Sequence, residues 1–527
     1  MKTVNSHGGE RLAAAVNQAY AAGQTDYSME PLVRVDETGL PIGRIQQGDA
    51  VIFCCRRGER EIELTEAFTD PEFPHFERVN LSPLDFIILT LYHEKFKDLP
   101  VAFLPSRIEN TLAETVSKAG LRQFHCSESE KFAHVTFFLN GGNHQPFPAE
   151  DDKRLPSPKG VPFDQVPELS LPQVAKEVVN AIHKNYDLIV TNFANGDVIG
   201  HTANRDAKIR CAEAVDRYLG EVVEAARMAG YTTLITADHG NLEELFTTEG
   251  KPHVSHTANQ VPLLLIQSQE NNQMKPADGK LADIAPTILH LLGIEIPPSM
   301  TGVDLLPGFN HTQNRKVLLI ILDGWGIGMA GETNPIFLAN TPVWDGLIER
   351  YGFARLDASG EAVGLQSGKA GNSEAGHLNI GAGRVVLQDD VRLDNALSDG
   401  SFYQNEIFLK AINGVKERKT RLHLIGLLTE KSSHGSIDYP LALLKMAHEH
   451  ELDEVYIHLI FDGRSTEPGS APALLEKMER LMAETGSRKA QMVTGIGRGI
   501  ALDRDGNYAK IQKAYDALVR GDGQHYR

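Results

Sequence analysis

DLIVTNF at 187–193, TANRDAKIRCAEAVDRYLGEVVEAARM at 202–228 and TTLITAD at 232–238 read in turn as strand, helix and strand. The outer two are apolar runs of strand length. The middle segment sets Ile209, Ala212, Val215, Leu219 and Val222 at helical spacing, and Gly230 stops it. Further on, VPLLLI at 261–266 reads as another strand and Ala282 to Leu292 as a helix closed by Gly293. This is βαβ grammar, and it predicts an α/β fold. KVLLIILDGWG at 316–326 looks like the opening strand of a domain, yet it stands at mid-chain, just after the polar connector PGFNHTQNR at 307–315. The chain's own start, MKTVNSHGGERLAAAVNQ, passes straight into a helical pattern.

The chain has 527 residues, room for about three domains or two large ones. Lys+Arg at 52 against Asp+Glu at 70 leaves a net charge of −18, which argues against nucleic acid or an anionic membrane as partner. Any phosphate site must be a local cluster of cations. No apolar run approaches the roughly 18 residues that span a bilayer, and the first 30 residues do not read as a secretory signal. Cys54, Cys55, Cys126 and Cys211 form no CxxC pair, which suits a reducing compartment. A large soluble cytoplasmic protein is expected.

Candidate chemistry gathers at the ends of the predicted strands, where open α/β sheets place their ligands. Asp323 ends the mid-chain strand; alone it reads equally as a turn residue. Asp238-His239 ends another, with Gly240-Asn241 behind it. After Phe193, a helical turn would make Asp197 and His201 i,i+4 neighbours, able to hold a divalent cation or to serve as ordinary capping groups. His253 and His256 precede the strand at 261 and read alone as surface histidines. Their coincidence on one sheet mixes hard oxygen with imidazole and suits Mn, Co or Zn better than Mg or Ca.

Ser373, in SGKAGNSEAGH at 367–377, lies among glycines and opens a helix. One reading is an N-cap; the other is a hydroxyl at an anion-binding helix terminus, suited to phosphoryl transfer. Arg56, Arg57 and Arg60, Arg464 in FDGRSTEPGS, and Arg498 with Arg504 in GIGRGIALDRDG are basic clusters. Each alone reads as solvated surface; converged in one cleft they would bind an acid phosphate bidentately.

Together these motifs resemble the cofactor-independent phosphoglycerate mutases of the alkaline phosphatase superfamily. LLIILDGWG, GNSEAGHLNIGAGR, VTNFANGDVIGHT, TLITADHGN, SESEKFAHVTFFLNGG and HVSHTANQVPLLL carry the match, with the arginine stretches. The resemblance implies a circularly permuted order: family members begin at the strand that here starts at Lys316, so their two ends would be joined through 307–315. It implies an alkaline-phosphatase-like three-layer metal-binding domain at 105–388. A smaller α/β transferase domain would be split between 389–527 and 1–104.

It further implies two divalent metals, manganese foremost with cobalt or zinc as alternatives, and no bisphosphoglycerate. Asp197, His201 and His256 would hold one; Asp323, Ser373, Asp238 and His239 the other. Lys131, Arg57, Arg60, Arg464, Arg498 and Arg504 would hold the phosphate and carboxylate of 3- or 2-phosphoglycerate, and His434 would shuttle a proton. Ser373 would carry the phosphoryl group between the two hydroxyls, acting in a monomer. Ser465 stands where the family commonly has Asp, and TEKSSHGS around His434 departs from the usual Asp-Gly-Gly-rich form. Histidine ligation predicts activity falling below about pH 6.5.

Overall fold

The computed structural model describes all residues except 1–6, 57–59, 106–107, 268–273, 309–315, 431, 433 and 453. The chain divides into two compact units, residues 106–391 and residues 1–105 with 392–527. Of the connector read at 307–315, only Pro307 and Gly308 fall within the described residues.

In the 106–391 unit, the strand Val317–Leu322 is buried along its whole length. It lies between Leu188–Phe193 and Thr232–Thr236, parallel to both. An unbroken VLLIIL run is the signature of a parallel strand covered on both faces, which is why it takes the middle of the sheet. The two strands of the βαβ reading are therefore not neighbours; the mid-chain strand sits between them. The eight-stranded order is Gly279–Lys280, Ala354–Asp357, Val261–Ile266, Thr232–Thr236, Val317–Leu322, Leu188–Phe193, Gln123–Glu128, Glu150–Leu155.

The crossover helix runs Arg205–Met228, three residues later than the pattern began, because the Asn204 side chain accepts the Ala207 N–H and caps it. Its buried stripe includes Cys211, Ala212, Val215, Leu219 and Val222; Ile209 is only half-buried. Val261–Ile266 runs antiparallel to Thr232–Thr236, whereas βαβ grammar would have made it parallel. The reversal matters, because it brings the start of this strand, and His256 before it, to the edge where the parallel strands end.

The other unit is also an eight-stranded sheet, ordered Gln524–Tyr526, Leu32–Arg34, Gln491–Gly497, Val455–Phe461, Leu422–Leu428, Ala50–Cys54, Asp85–Thr90, Val101–Phe103. Ala50–Cys54 pairs directly with Leu422–Leu428, so segments from both ends of the sequence alternate within one sheet. Apolar cores lie on each face: one holds Leu12, Leu424, Leu443 and Leu475, the other Phe53, Leu64, Tyr515 and Leu518. All four cysteines are free and buried. Among the described residues no helix is long and apolar enough to cross a membrane.

Candidate active site

Three parallel strands of the 106–391 unit deliver acids to one edge. Leu188–Phe193 leads into the short helix Asn195–Gly200, which carries Asp197 and is followed by His201. Thr232–Thr236 leads to Asp238 and His239, and Val317–Leu322 to Asp323. Facing them is the N-terminus of the helix Ser373–Ala382. Its N-cap is Asn372, whose side chain accepts the Ala375 N–H at 2.9 Å. The capping reading of Ser373 therefore gives way: Asn372 does that work, and the Ser373 hydroxyl is left to the acids.

Ser373 Oγ lies 3.0 Å from His239 Nε2 and donates to Asp323 Oδ1 at 3.2 Å. Lys131 Nζ reaches Ser373 Oγ at 2.5 Å, Asp197 Oδ2 at 2.6 Å and Asp323 Oδ1 at 2.9 Å. A second group adjoins: His201 Nε2 and His256 Nε2 stand 3.2 and 3.0 Å from Asp197 Oδ1, and 3.1 Å from each other. Asp238, Asp323, His239 and Lys131 are buried, while His201 stands at the rim.

The charges are tightly interlocked. Burial pushes the Asp197 carboxyl up, but the Lys131 charge and contacts from His201, His256 and His239 outweigh it and hold it well below the usual range. Asp238 is likewise held low against burial, by His239, His377 and Lys131. Burial alone would depress the Lys131 ammonium, yet Asp323, Asp197 and Asp238 carry it above the ordinary lysine value.

The donor set fits divalent cations. His201 Nδ1 faces the Val254 carbonyl at 2.9 Å, His256 Nδ1 the Gly371 carbonyl at 2.8 Å, and His239 Nδ1 the Gly240 carbonyl at 3.2 Å. A carbonyl can only accept, so each Nδ1 carries a proton and each Nε2 is the nitrogen turned toward the acids, free to ligate a metal once its own proton leaves. Asp238 Oδ2, though buried, accepts no well-formed hydrogen bond among the described residues, its nearest donor being His377 Nδ1 at 3.3 Å. Asp197, His201 and His256 bring ligand atoms within 4.8 Å of one another, as do Asp197, His239 and Asp323, and Asp238, Asp323 and His377. Carboxylates mixed with imidazole are the chemistry of first-row divalent metals.

His377, Asn192 and Asn241 were not singled out from the sequence. His377 Nδ1 lies 3.3 Å from Asp238 Oδ2, Asn192 Nδ2 donates to Asp323 Oδ2 at 2.6 Å, and Asn241 Nδ2 to Asp197 Oδ1 at 2.9 Å. The i,i+4 spacing of Ser373 and His377 on one helix was the available signal for the first.

The remaining expected residues that are described lie in the other unit, on the loops that follow its parallel strands. His434 Nδ1 pairs with Glu61 Oε1 at 2.9 Å, both buried. Burial dominates Glu61 and raises its carboxyl, although His434 pulls it down. Arg60 Nη1 donates to the Leu502 carbonyl at 3.0 Å. Arg498 Nη1 binds Asp462 Oδ1 at 2.6 Å, and the Ser465 N–H reaches the same oxygen at 3.3 Å. Arg464, Ser465 and Arg504 are exposed on the loops that follow. Arg57 lies outside the described residues. Glu61 and Asp462, which fix His434 and Arg498, were likewise not anticipated.

Two family models match the chain, and the first takes in parts of both units. The Metalloenzyme superfamily model matches residues 30–296, and the model of the BPG-independent phosphoglycerate mutase N-terminus matches 393–527. The 2,3-bisphosphoglycerate-independent phosphoglycerate mutase of Desulforudis audaxviator is 44% identical over 55% of this chain and 57% of its own length. That of Salinibacter ruber is 43% identical over 56% of each. The mutase named number 1 of Methanosarcina acetivorans is 43% identical over 55% of this chain and 56% of its own. The chain thus spans under three fifths of the length of these relatives. A crystal structure of Leishmania mexicana phosphoglycerate mutase at low cobalt concentration aligns at 30% identity over 52% of this chain and 53% of that one, with a TM-score of 0.41. Family and ligand groups together point to dependence on divalent metal. The mutase N-terminal model covers the last quarter of the sequence and the superfamily model half of it; the chain belongs to the Metalloenzyme superfamily.

Proposed function

We propose that the protein interconverts 3-phosphoglycerate and 2-phosphoglycerate through a phosphoserine at Ser373, without bisphosphoglycerate. The observation that carries this reading is the Ser373 hydroxyl, buried at a capped helix N-terminus between an imidazole, an ammonium and an aspartate. In the first half-reaction Ser373 Oγ attacks phosphorus. The Oγ–P bond forms, the bond from phosphorus to the 3-oxygen breaks, the serine proton leaves and the departing oxygen takes one up. Glycerate turns, its 2-hydroxyl gives up a proton and attacks the phosphoserine, and Ser373 Oγ regains its proton. Atoms balance, and no water enters.

Asp197, His201 and His256 would hold one divalent cation, and Asp238, His239 and Asp323 with Ser373 the other. Bound there, the cations would lower the hydroxyl's pKa and neutralise phosphoryl oxygens, which is where catalysis of such transfers mainly lies. Lys131 places a further positive charge against Ser373 Oγ, and the positive end of the helix dipole adds to it. In the other unit, Arg57, Arg60, Arg464, Arg498 and Arg504 with Ser465 would bind the acid end of the substrate. His434, oriented by Glu61, would relay the proton.

Mixed carboxylate and imidazole ligation supports manganese, with cobalt and zinc next. A circular permutation of the family order is supported by the family models, since the one describing the mutase N-terminus matches the later residues, 393–527. The deciding experiment assays metal-stripped protein with 3-phosphoglycerate alone, titrated with Mn, Co, Zn and Mg. We expect 2-phosphoglycerate to appear only on metal addition and never in Ser373→Ala. Activity that survives chelation, or free phosphate released in step with substrate loss, would overturn the reading.

A further inference from the structure

Glu243 is 1% exposed and belongs to neither ligand group. Its carboxylate nevertheless receives four hydrogen bonds, and they come from three different loops. Oε2 takes the N–H of Asn241 at 2.8 Å, two residues past His239, and the N–H of Gly326 at 3.1 Å, three residues past Asp323. Oε1 takes the Thr257 hydroxyl, one residue past His256, and Asn259 Nδ2 at 2.9 Å. Two bonds on each oxygen use the acceptor capacity of a carboxylate in full.

The grip extends to Asp197, because Asn241, held by its backbone, donates from its side chain to Asp197 Oδ1 at 2.9 Å. Lys208, 1% exposed, holds the same region from the other side: its Nζ donates to the carbonyls of His253 at 2.7 Å and Glu244 at 3.2 Å. Gly326 leaves the room required, since a Cβ there would meet both oxygens and the carboxyl carbon of Glu243 at 2.3–2.6 Å.

We propose that Glu243 is a positioning residue that sets the spacing between the two metal-ligand groups by clamping the loops after His239, Asp323 and His256. The inference rests on the metal reading above. Catalysis by positioned charges depends on such fixing, because a ligand loop free to drift costs affinity before it costs the fold.

The two oxygens separate the effects. In Glu243→Gln the remaining carbonyl oxygen can keep the Asn241 and Gly326 amides, while the new NH2 faces the Thr257 and Asn259 donors. The group containing His256 should therefore loosen and the group containing Asp323 should not. Mn2+ titration of the metal-stripped full chain, by calorimetry and by the EPR signal of free Mn2+, reads both sites. We expect two sites in the wild type and, in Glu243→Gln, one of them weakened about tenfold. Gly326→Ala, which pushes on the same carboxylate, should also weaken Mn2+ binding. Both dissociation constants within twofold of wild type in the two variants, with or without a drop in melting temperature, would overturn the role of Glu243. A wild-type chain that takes up no Mn2+ would instead overturn the metal reading itself.

Discussion

His239 shows how strongly one residue is set by its neighbours. Burial pushes its imidazole down, but Asp238, Asp323 and Asp197 raise it to about 9. A raised value means the protonated form favours the fold. In metal-free protein that contribution is full below the unfolded value of about 6.5, and it is lost as pH rises through about 9. Asp197 and Asp238 act the other way: held low, they stabilise above the unfolded value of about 4 and lose that contribution as pH falls through their depressed values. This cluster alone is most stabilising between about pH 4 and 6.5. A cation requires His239 neutral, so binding displaces a proton, and affinity should fall about tenfold per unit below the value of about 9. The fall begins well above the pH 6.5 that free histidines would suggest. Calorimetry at pH 7.5 in buffers of different ionisation enthalpy should show about one proton released as this group fills. Binding with no proton release would contradict the assignment. At this scale Asp197, Asp238, His239 and Asp323 were legible because each follows an apolar strand. Glu61 was not: its partner His434 is 373 positions away, and no local pattern spans that distance.

Among elements, the helix Ser373–Ala382 is held by close backbone contact. Gly376 lets it lie against the end of the strand Thr232–Thr236: a Cβ there would meet the Asp238 carbonyl oxygen at 2.6 Å and the Asp238 Cβ at 2.8 Å. Backbone cannot yield as a flexible side chain would, so Gly376→Ala should move the helix and Ser373 with it. Overpacking of this kind costs roughly 1–3 kcal/mol of stability, and a shift near 1 Å at reacting atoms costs about 100-fold in rate. We expect turnover to fall by about that factor while the protein remains folded by circular dichroism; unchanged turnover would show that the contact relaxes without moving Ser373. Element type was readable from periodicity, but direction was not. A run such as VPLLLI carries the same signal whether parallel or antiparallel, and only the observed reversal explains how His256 joins the aspartates. Strand order was equally hidden, because the sequence of 316–326 says that its strand is buried but not between which neighbours.

For the whole molecule, the division into two compact units predicts how metal acts on stability. Every proposed ligand lies in the 106–391 unit, so Mn2+ should protect that unit and leave the other unchanged. At 100 times its dissociation constant a ligand adds about 2.7 kcal/mol per site, which for a unit of this size raises the melting temperature by roughly 5 °C or more. Scanning calorimetry with and without chelator should show one transition moving and one standing still; two transitions moving together would mean that the units melt as one. The alternation of chain segments in the second sheet was foreshadowed by the mid-chain position of KVLLIILDGWG, although the pairing of 50–54 with 422–428 could not be read from either segment alone.

The account stands on Ser373 as the temporary phosphate carrier. Mass spectrometry of the metal-loaded chain, quenched in acid during turnover of 3-phosphoglycerate, tests it most directly. We predict a phosphate on Ser373 that appears with substrate, disappears when substrate is exhausted, and is absent from Ser373→Ala. Continued turnover with Ser373 unmodified, or a phosphate carried on another residue, would contradict it.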